Sequence, residues 1–221
     1  MFIGHYGVAF AAKKLAPKIS LGTLFIGAQL IDLLWPLFLL LGIEHVRLDP
    51  GNTAVTPLDF YDYPFTHSLV GCLFWSVLLF FIYYIIKRDL RNALILGGCV
   101  LSHWILDFIT HRPDLPLSPG LQNLFGLGLW NNLWFSLIAE LLIFAVGVYI
   151  YQKTTHSLNK AGSIGFWLLV IILLGIYFSN IFGPPPPNTQ VIAVAGNASW
   201  LFVLWAYWAD KNRSNEIIGI K

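Results

Sequence analysis

Six apolar runs recur along this chain, at residues 19–41, 66–86, 92–110, 130–152, 164–183 and 191–209. Each is close to the ~20 residues that a helix needs to cross a ~30 Å hydrocarbon core. In hydrocarbon no water is available to bond the backbone, so only helices or closed barrels can cross it. The ten-residue alternation of a barrel strand is absent from these runs. Composition agrees, with 57% hydrophobic and 11% charged residues, where a soluble domain carries ~25% charged. The expected fold is all-α: a polytopic membrane helical bundle of about six transmembrane helices plus a short N-terminal helix. It is read as a single integral membrane domain, 1–221, with the chemistry-bearing helices in 1–145 and additional spanning helices in 146–221.

The connections contain the residues that stop helices, in "EHVRLDPGNTAVTPLDFYDYP", "KRDLR", "HRPDLPLSPGLQNLFGLG", "KTTHSLNKAGS" and "GPPPPNTQ". The lysines and arginines are distributed unevenly among them. Eleven of the 13 fall on the side that holds both termini, and only Arg47 and Arg112 fall on the other. By the positive-inside rule both termini are cytoplasmic, and the loops 42–65, 111–129 and 184–190 face outward. The localisation expected is the cytoplasmic (inner) membrane, with the lipid bilayer as the first partner. A net charge of +2 without a basic block gives no reason to expect nucleic acid. Cys72 and Cys99 lie inside apolar runs and read as buried free thiols. The lysines of "MFIGHYGVAFAAKKLAP" follow the apolar part, the reverse of a signal peptide's order.

Ionisable groups at membrane depth are costly and mark functional sites. Asp32, His103, Asp107 and Glu140 interrupt three of the runs, His67 opens another, His111 ends one, and His5 lies in the N-terminal segment. A helix rises ~1.5 Å per residue, so height can be counted from the nearest cytoplasmic Lys or Arg. Asp32 stands roughly 21 Å above Lys18, His103 and Asp107 roughly 18 and 24 Å above Arg91, and Glu140 roughly 20 Å above Lys153. His67 comes out at roughly 30 Å, and His5 at roughly 12 Å if residues 2–16 form a rising helix. Asp32, His103, Asp107 and Glu140 therefore share one slab in the outer half of the membrane, with His67 and His111 capping it from above and His5 approaching it from below. Within "LSHWILDFITHRPD", residues His103, Asp107 and His111 are spaced by four and form one helical stripe.

Imidazole nitrogen and carboxylate oxygen are ligands for zinc and other divalent metals. The candidate metal ligands are His5, Asp32, His67, His103, Asp107 and His111. Each also has a plainer reading. His5 could be an ordinary terminal residue, Asp32 a partner of Gln29, and Glu140 a partner of Asn131, Asn132 or the backbone. His45 and His156 lie in loops and read as solvated.

Those motifs resemble a known family. An N-terminal His, an intramembrane Asp, the "THS" box and the His-x-x-x-Asp helix, with "PLDFYDYPFTHSL", "SHWILDFITHRPDLPL" and "FGPPPP", are similar to the YdjM family of inner-membrane metal-dependent hydrolases. The order His, Asp, His, His-x-x-x-Asp, His is also similar to the zinc-dependent phospholipase C and single-strand nuclease superfamily, helical enzymes that cleave phosphoesters. The resemblance implies that Asp107 bridges metals and that Asp32 binds metal and serves as base. Glu140 stands where the pattern has Glu, but residue 136 is Ser rather than its His partner. One or two ions are therefore expected, zinc first, with Mn, Mg or Fe as alternatives.

The function expected is a membrane-embedded hydrolase of a phospholipid or lipid-linked phosphoester. Asp32 and then Glu140 are its candidate catalytic carboxylates, and Arg112 its candidate phosphate-binding residue. Two other classes use the same cluster. A metal-ion or proton transporter would offer a route to both faces, and a non-catalytic scaffold would close its coordination without a water position. The sequence leaves the oligomeric state open.

Overall fold

Helix starts in this chain are fixed by polar side chains that replace missing backbone acceptors. Ser20 accepts the Thr23 amide, Ser68 that of Gly71, Asp89 that of Asn92, Asn132 that of Phe135, Asn159 that of Gly162 and Asn188 that of Val191. The computed structural model describes residues 1–121 and 123–215; Lys221, counted above on the cytoplasmic side, lies outside them. Its helices are α1 (Ile3–Leu15), α2 (Leu21–Leu40), α3 (Leu69–Lys87), α4 (Leu90–Thr110), α5 (Leu133–Thr154), α6 (Lys160–Phe182), α7 (Thr189–Asn197) and α8 (Trp200–Lys211). Six segments are long and apolar enough to cross a membrane: α2, α3, α4, α5, α6 and the α7–α8 pair. The short N-terminal helix is α1.

The sixth span departs from expectation. The run 191–209 reads as one helix, but the structure breaks it between α7 and α8, where Ser199 donates its amide back to Gly196. Three short antiparallel pairs also appear that the apolar pattern does not signal. β1 (His45–Leu48) pairs with β2 (Leu58–Asp62), β3 (Leu115–Pro116) with β4 (Leu124–Phe125), and β5 (Thr155–Ser157) with β6 (Arg213–Asn215). The first two pairs fold the long loops over one end of the bundle, where the Ala54 amide donates to the Trp130 carbonyl and the Val70 amide to Leu117.

The core is aromatic and centred on α1. Phe10 packs edge-on against Phe25, Phe144, Tyr151 and Phe166, which come from α2, α5 and α6. α1 approaches α5 backbone to backbone. A Cβ on Gly147 would collide with the Gly7 carbonyl, and one on Gly7 would come within 2.7 Å of the Ile143 oxygen. Small residues permit such approaches, which membrane helices use because lipid provides no hydrophobic drive for association. At the far end Lys13, buried, donates to Asp210 Oδ2 at 2.8 Å and to the Ile19 carbonyl, while Tyr151 donates to Asp210 Oδ1 at 2.6 Å. α1 is thereby held at both ends, and its first turn projects into the opposite half of the bundle. α3 leaves most of its large apolar side chains uncovered, as a lipid-facing helix does. Cys72 and Cys99 are buried free thiols.

Candidate metal centre

Asp107, on α4, is the centre of the cluster, and its two oxygens face different neighbours. Oδ1 lies 2.5 Å from the Met1 amine, 3.1 Å from His5 Nε2 and 3.9 Å from His111 Nε2. Oδ2 lies 3.2 Å from His103 Nε2 and 3.9 Å from His67 Nε2. Asp32, on α2, closes the second group: its Oδ1 is 3.5 Å from His67 Nε2 and 3.6 Å from His103 Nε2. Two triads have ligand atoms close enough to hold an ion, His5–His103–Asp107 and Asp32–His67–His103. Both include His103, whose Nε2 has a single lone pair and can serve only one ion. Asp107 touches both groups, through Oδ1 to His5 and through Oδ2 to His103 and His67.

The tautomers follow from the outer partners. His103 Nδ1 lies 3.0 Å from the Ala28 carbonyl, which only accepts, so Nδ1 carries a proton and the neutral ring has its lone pair on Nε2. His111 Nδ1 donates to Asp114 Oδ1 at 3.0 Å, and the Tyr63 hydroxyl donates to the same oxygen at 2.9 Å. Burial lowers the His111 imidazole pKa from its ordinary value, which favours the neutral, ligating form. Burial, followed by the Asp114 charge, pushes the Tyr63 phenol well up and keeps it a donor. His5 stacks on His103, ring centroids 3.6 Å apart and nearly parallel.

His103 Nε2 and His5 Nδ1 are buried without a hydrogen-bond partner. Buried polar atoms are rarely left so, and each orphan calls for an explanation. A lone pair on Nε2 facing two carboxylate oxygens is repulsive unless a proton or a metal cation lies between them. This donor set, imidazoles with carboxylates and outer oxygens fixing the ring tautomers, is the arrangement that divalent metals use. The cluster can chelate a metal ion, and the long apolar helices around it make this a membrane-associated protein.

The remaining candidates stand further out. Glu140, on α5, is buried beneath the start of α1, where its Oε2 accepts the Phe2 amide at 2.8 Å and the Gly4 amide at 3.5 Å. It belongs to neither triad. Arg112 pairs with Asp59 and, through Nε at 3.4 Å, with Asp114, the acid behind His111. Arg47 shares Asp59 at 2.5 Å. His45 is exposed and paired with Asp62, and His156 is exposed. Within the cluster Asp32 is the accessible member, its side chain 31% exposed against 4% or less for the imidazoles and Asp107.

Several partners are invisible to a scan for periodicity: Glu44, Thr66, Tyr63, Asp114 and the Ala28 carbonyl. Four of them sit in loops or at loop edges, and the fifth is backbone. The serine of "THS" is the one legible neighbour, since Ser68 caps α3 and so fixes where His67 leaves the loop. Comparison with known proteins adds no further guide: no family model matches, and no curated protein or solved structure is significantly similar to this chain.

Proposed function

We propose that this protein is a membrane-embedded metal-dependent hydrolase that cleaves a phosphoester of a lipid in the outer half of the cytoplasmic membrane. The observation that carries the reading is the convergence of four imidazoles on Asp107 and Asp32, with His103 Nε2 buried between the two carboxylates. His5, His111 and Asp107 Oδ1 would hold one ion; His67, His103, Asp32 and Asp107 Oδ2 would hold a second. A divalent ion in such a site supplies Lewis acidity and lowers the pKa of water to about 7, with zinc the first choice for these ligands.

The chain's own residues provide the rest. Asp32, the accessible carboxylate, would orient water and accept its proton. Asp107 would hold the two halves at a fixed separation. Glu140, anchored to the first amides of α1, would keep His5 seated. At the mouth, Arg112 would take a substrate phosphate in exchange for Asp59 or Asp114, using the paired donors of its guanidinium. The resemblance to YdjM-like hydrolases supports this reading.

A lipid substrate is supported by an apolar groove of about 470 Å³ on the α2–α3 surface, lined by Phe38, Ile43, Phe65, Val70, Phe74 and Trp75. It adjoins the segment that delivers His67. A hydrolase is favoured over a transporter by the packed aromatics around Phe10, which seal the cluster from the far end of the bundle. The test is elemental analysis of the purified protein alongside hydrolysis of a phospholipid panel. Alanine at His5, Asp32, His67, His103 or Asp107 should lower both bound metal and hydrolysis, whereas alanine at His45 or His156 should change neither. Unaltered metal content across the five cluster variants would sink the proposal.

A further inference from the structure

We infer that Glu44 and Thr66 form a relay that sets the tautomer of His67, and that both are positioning residues for the metal centre; the inference rests on the metal-binding reading above. Glu44 lies between α2 and β1 and is 1% exposed. Its Oε1 accepts the Phe65 amide at 2.7 Å and the Thr66 amide at 2.8 Å. Its Oε2 lies 2.6 Å from Thr66 Oγ1, and that oxygen lies 2.7 Å from His67 Nδ1.

The direction of each bond follows from counting protons. A carboxylate only accepts, and a threonine hydroxyl has one proton to give. Thr66 therefore donates to Glu44 and accepts from His67, which places the His67 proton on Nδ1. Nε2 is left with its lone pair toward Asp32 Oδ1, 3.5 Å away, and Asp107 Oδ2, 3.9 Å away. Were the relay reversed, an Nε2 proton would occupy the position where a ligand needs its lone pair. Outer partners of this kind fix ring orientation and tautomer, and their loss typically costs ~10–100-fold in metal affinity or activity. His67, like His111, lies outside the helices and needs such a device. It precedes α3 and is carried by a loop, so no helix sets its orientation. Glu44 holds that loop through two backbone amides and the ring through the hydroxyl. It is a buried acid that the proposed reaction does not otherwise use.

Glu44→Gln tests the relay with almost no change of shape. The glutamine oxygen can keep the two amides, but its NH₂ must then donate to Thr66. The threonine proton turns toward His67 Nδ1, and the imidazole proton moves to Nε2. Two measurements on detergent-solubilised, full-length protein report this: imidazole ¹⁵N shifts without metal, and Co²⁺ affinity from its visible absorption. The parent should show His67 as the Nδ1–H tautomer. Glu44→Gln should show Nε2–H and bind Co²⁺ about 10–100-fold more weakly. Thr66→Val should weaken Co²⁺ binding by a similar factor, and Thr66→Ser, which keeps the hydroxyl, should restore it. The relay is overturned if Glu44→Gln leaves tautomer and affinity as in the parent, or if Thr66→Ser loses as much as Thr66→Val. A parent that binds no Co²⁺ would defeat the metal reading itself, and the nitrogen shifts would then judge the relay alone.

Discussion

Asp107 and Glu140 are both buried acids near the N-terminal turn of α1, yet their surroundings assign them different work. Asp107 presents one oxygen to each half of the cluster. Glu140 directs one oxygen, Oε2, to the Phe2 and Gly4 amides. Asp107→Asn replaces one acceptor oxygen by a donor and should empty the site and abolish hydrolysis. Glu140→Gln retains an oxygen for the amides and should keep most of the metal while activity falls ~10–100-fold. Metal stoichiometry measured beside turnover separates the two, and an empty site in Glu140→Gln would make it a ligand. The equal height of these acids was legible by counting helical rise from flanking lysines and arginines. Which acid would face imidazoles and which would face amides was not, because rise gives height and leaves direction around the helix undetermined.

At the scale of elements, the crossing of α1 and α5 decides whether His5 reaches Asp107. Gly147 and Gly7 meet with no room for a Cβ on either side, and the obstructing atoms are backbone that cannot rotate aside. Gly147→Ala should cost about 1–3 kcal/mol through overpacking, push the first turn of α1 away and weaken metal binding. Gly175→Ala, on α6 with open space around it, should be neutral or gain up to ~1 kcal/mol from helix propensity. Thermal unfolding in detergent with metal titration checks the pair. Equal melting of the two variants would mean that the crossing tolerates a methyl group and that α1 is held elsewhere. The caps that start α2 to α7 follow from Ser, Asp and Asn at helix starts, where the sequence advertises them. The break of the last span at Ala198–Ser199 carries no proline, so the apolar run alone conceals it.

For the whole molecule, the bias in Lys and Arg placement predicts an orientation with both termini cytoplasmic. The α3–α4 and α5–α6 turns carry the cationic residues, while the hairpin β1–β2 and the 111–129 loop pack together at the other end. Reporter fusions after residues 88 and 158 should read cytoplasmic, and one within 49–56 should read external; the opposite readout at both kinds of position would invert the orientation. The sequence by itself determined the helical class of fold, the six apolar segments, and the imidazoles and carboxylates that the fold then brings together. Hydrocarbon thickness and a fixed rise per residue leave little freedom in those properties. Tertiary structure alone decided which oxygen of Asp107 meets which histidine, that Arg112 pairs with Asp59, and that Glu44 and Asp114 stand behind the imidazoles. Those contacts join residues as far as 102 positions apart or loops with no period of their own. They exist only once helices without intervening bulk have come together and folded the loops over their ends.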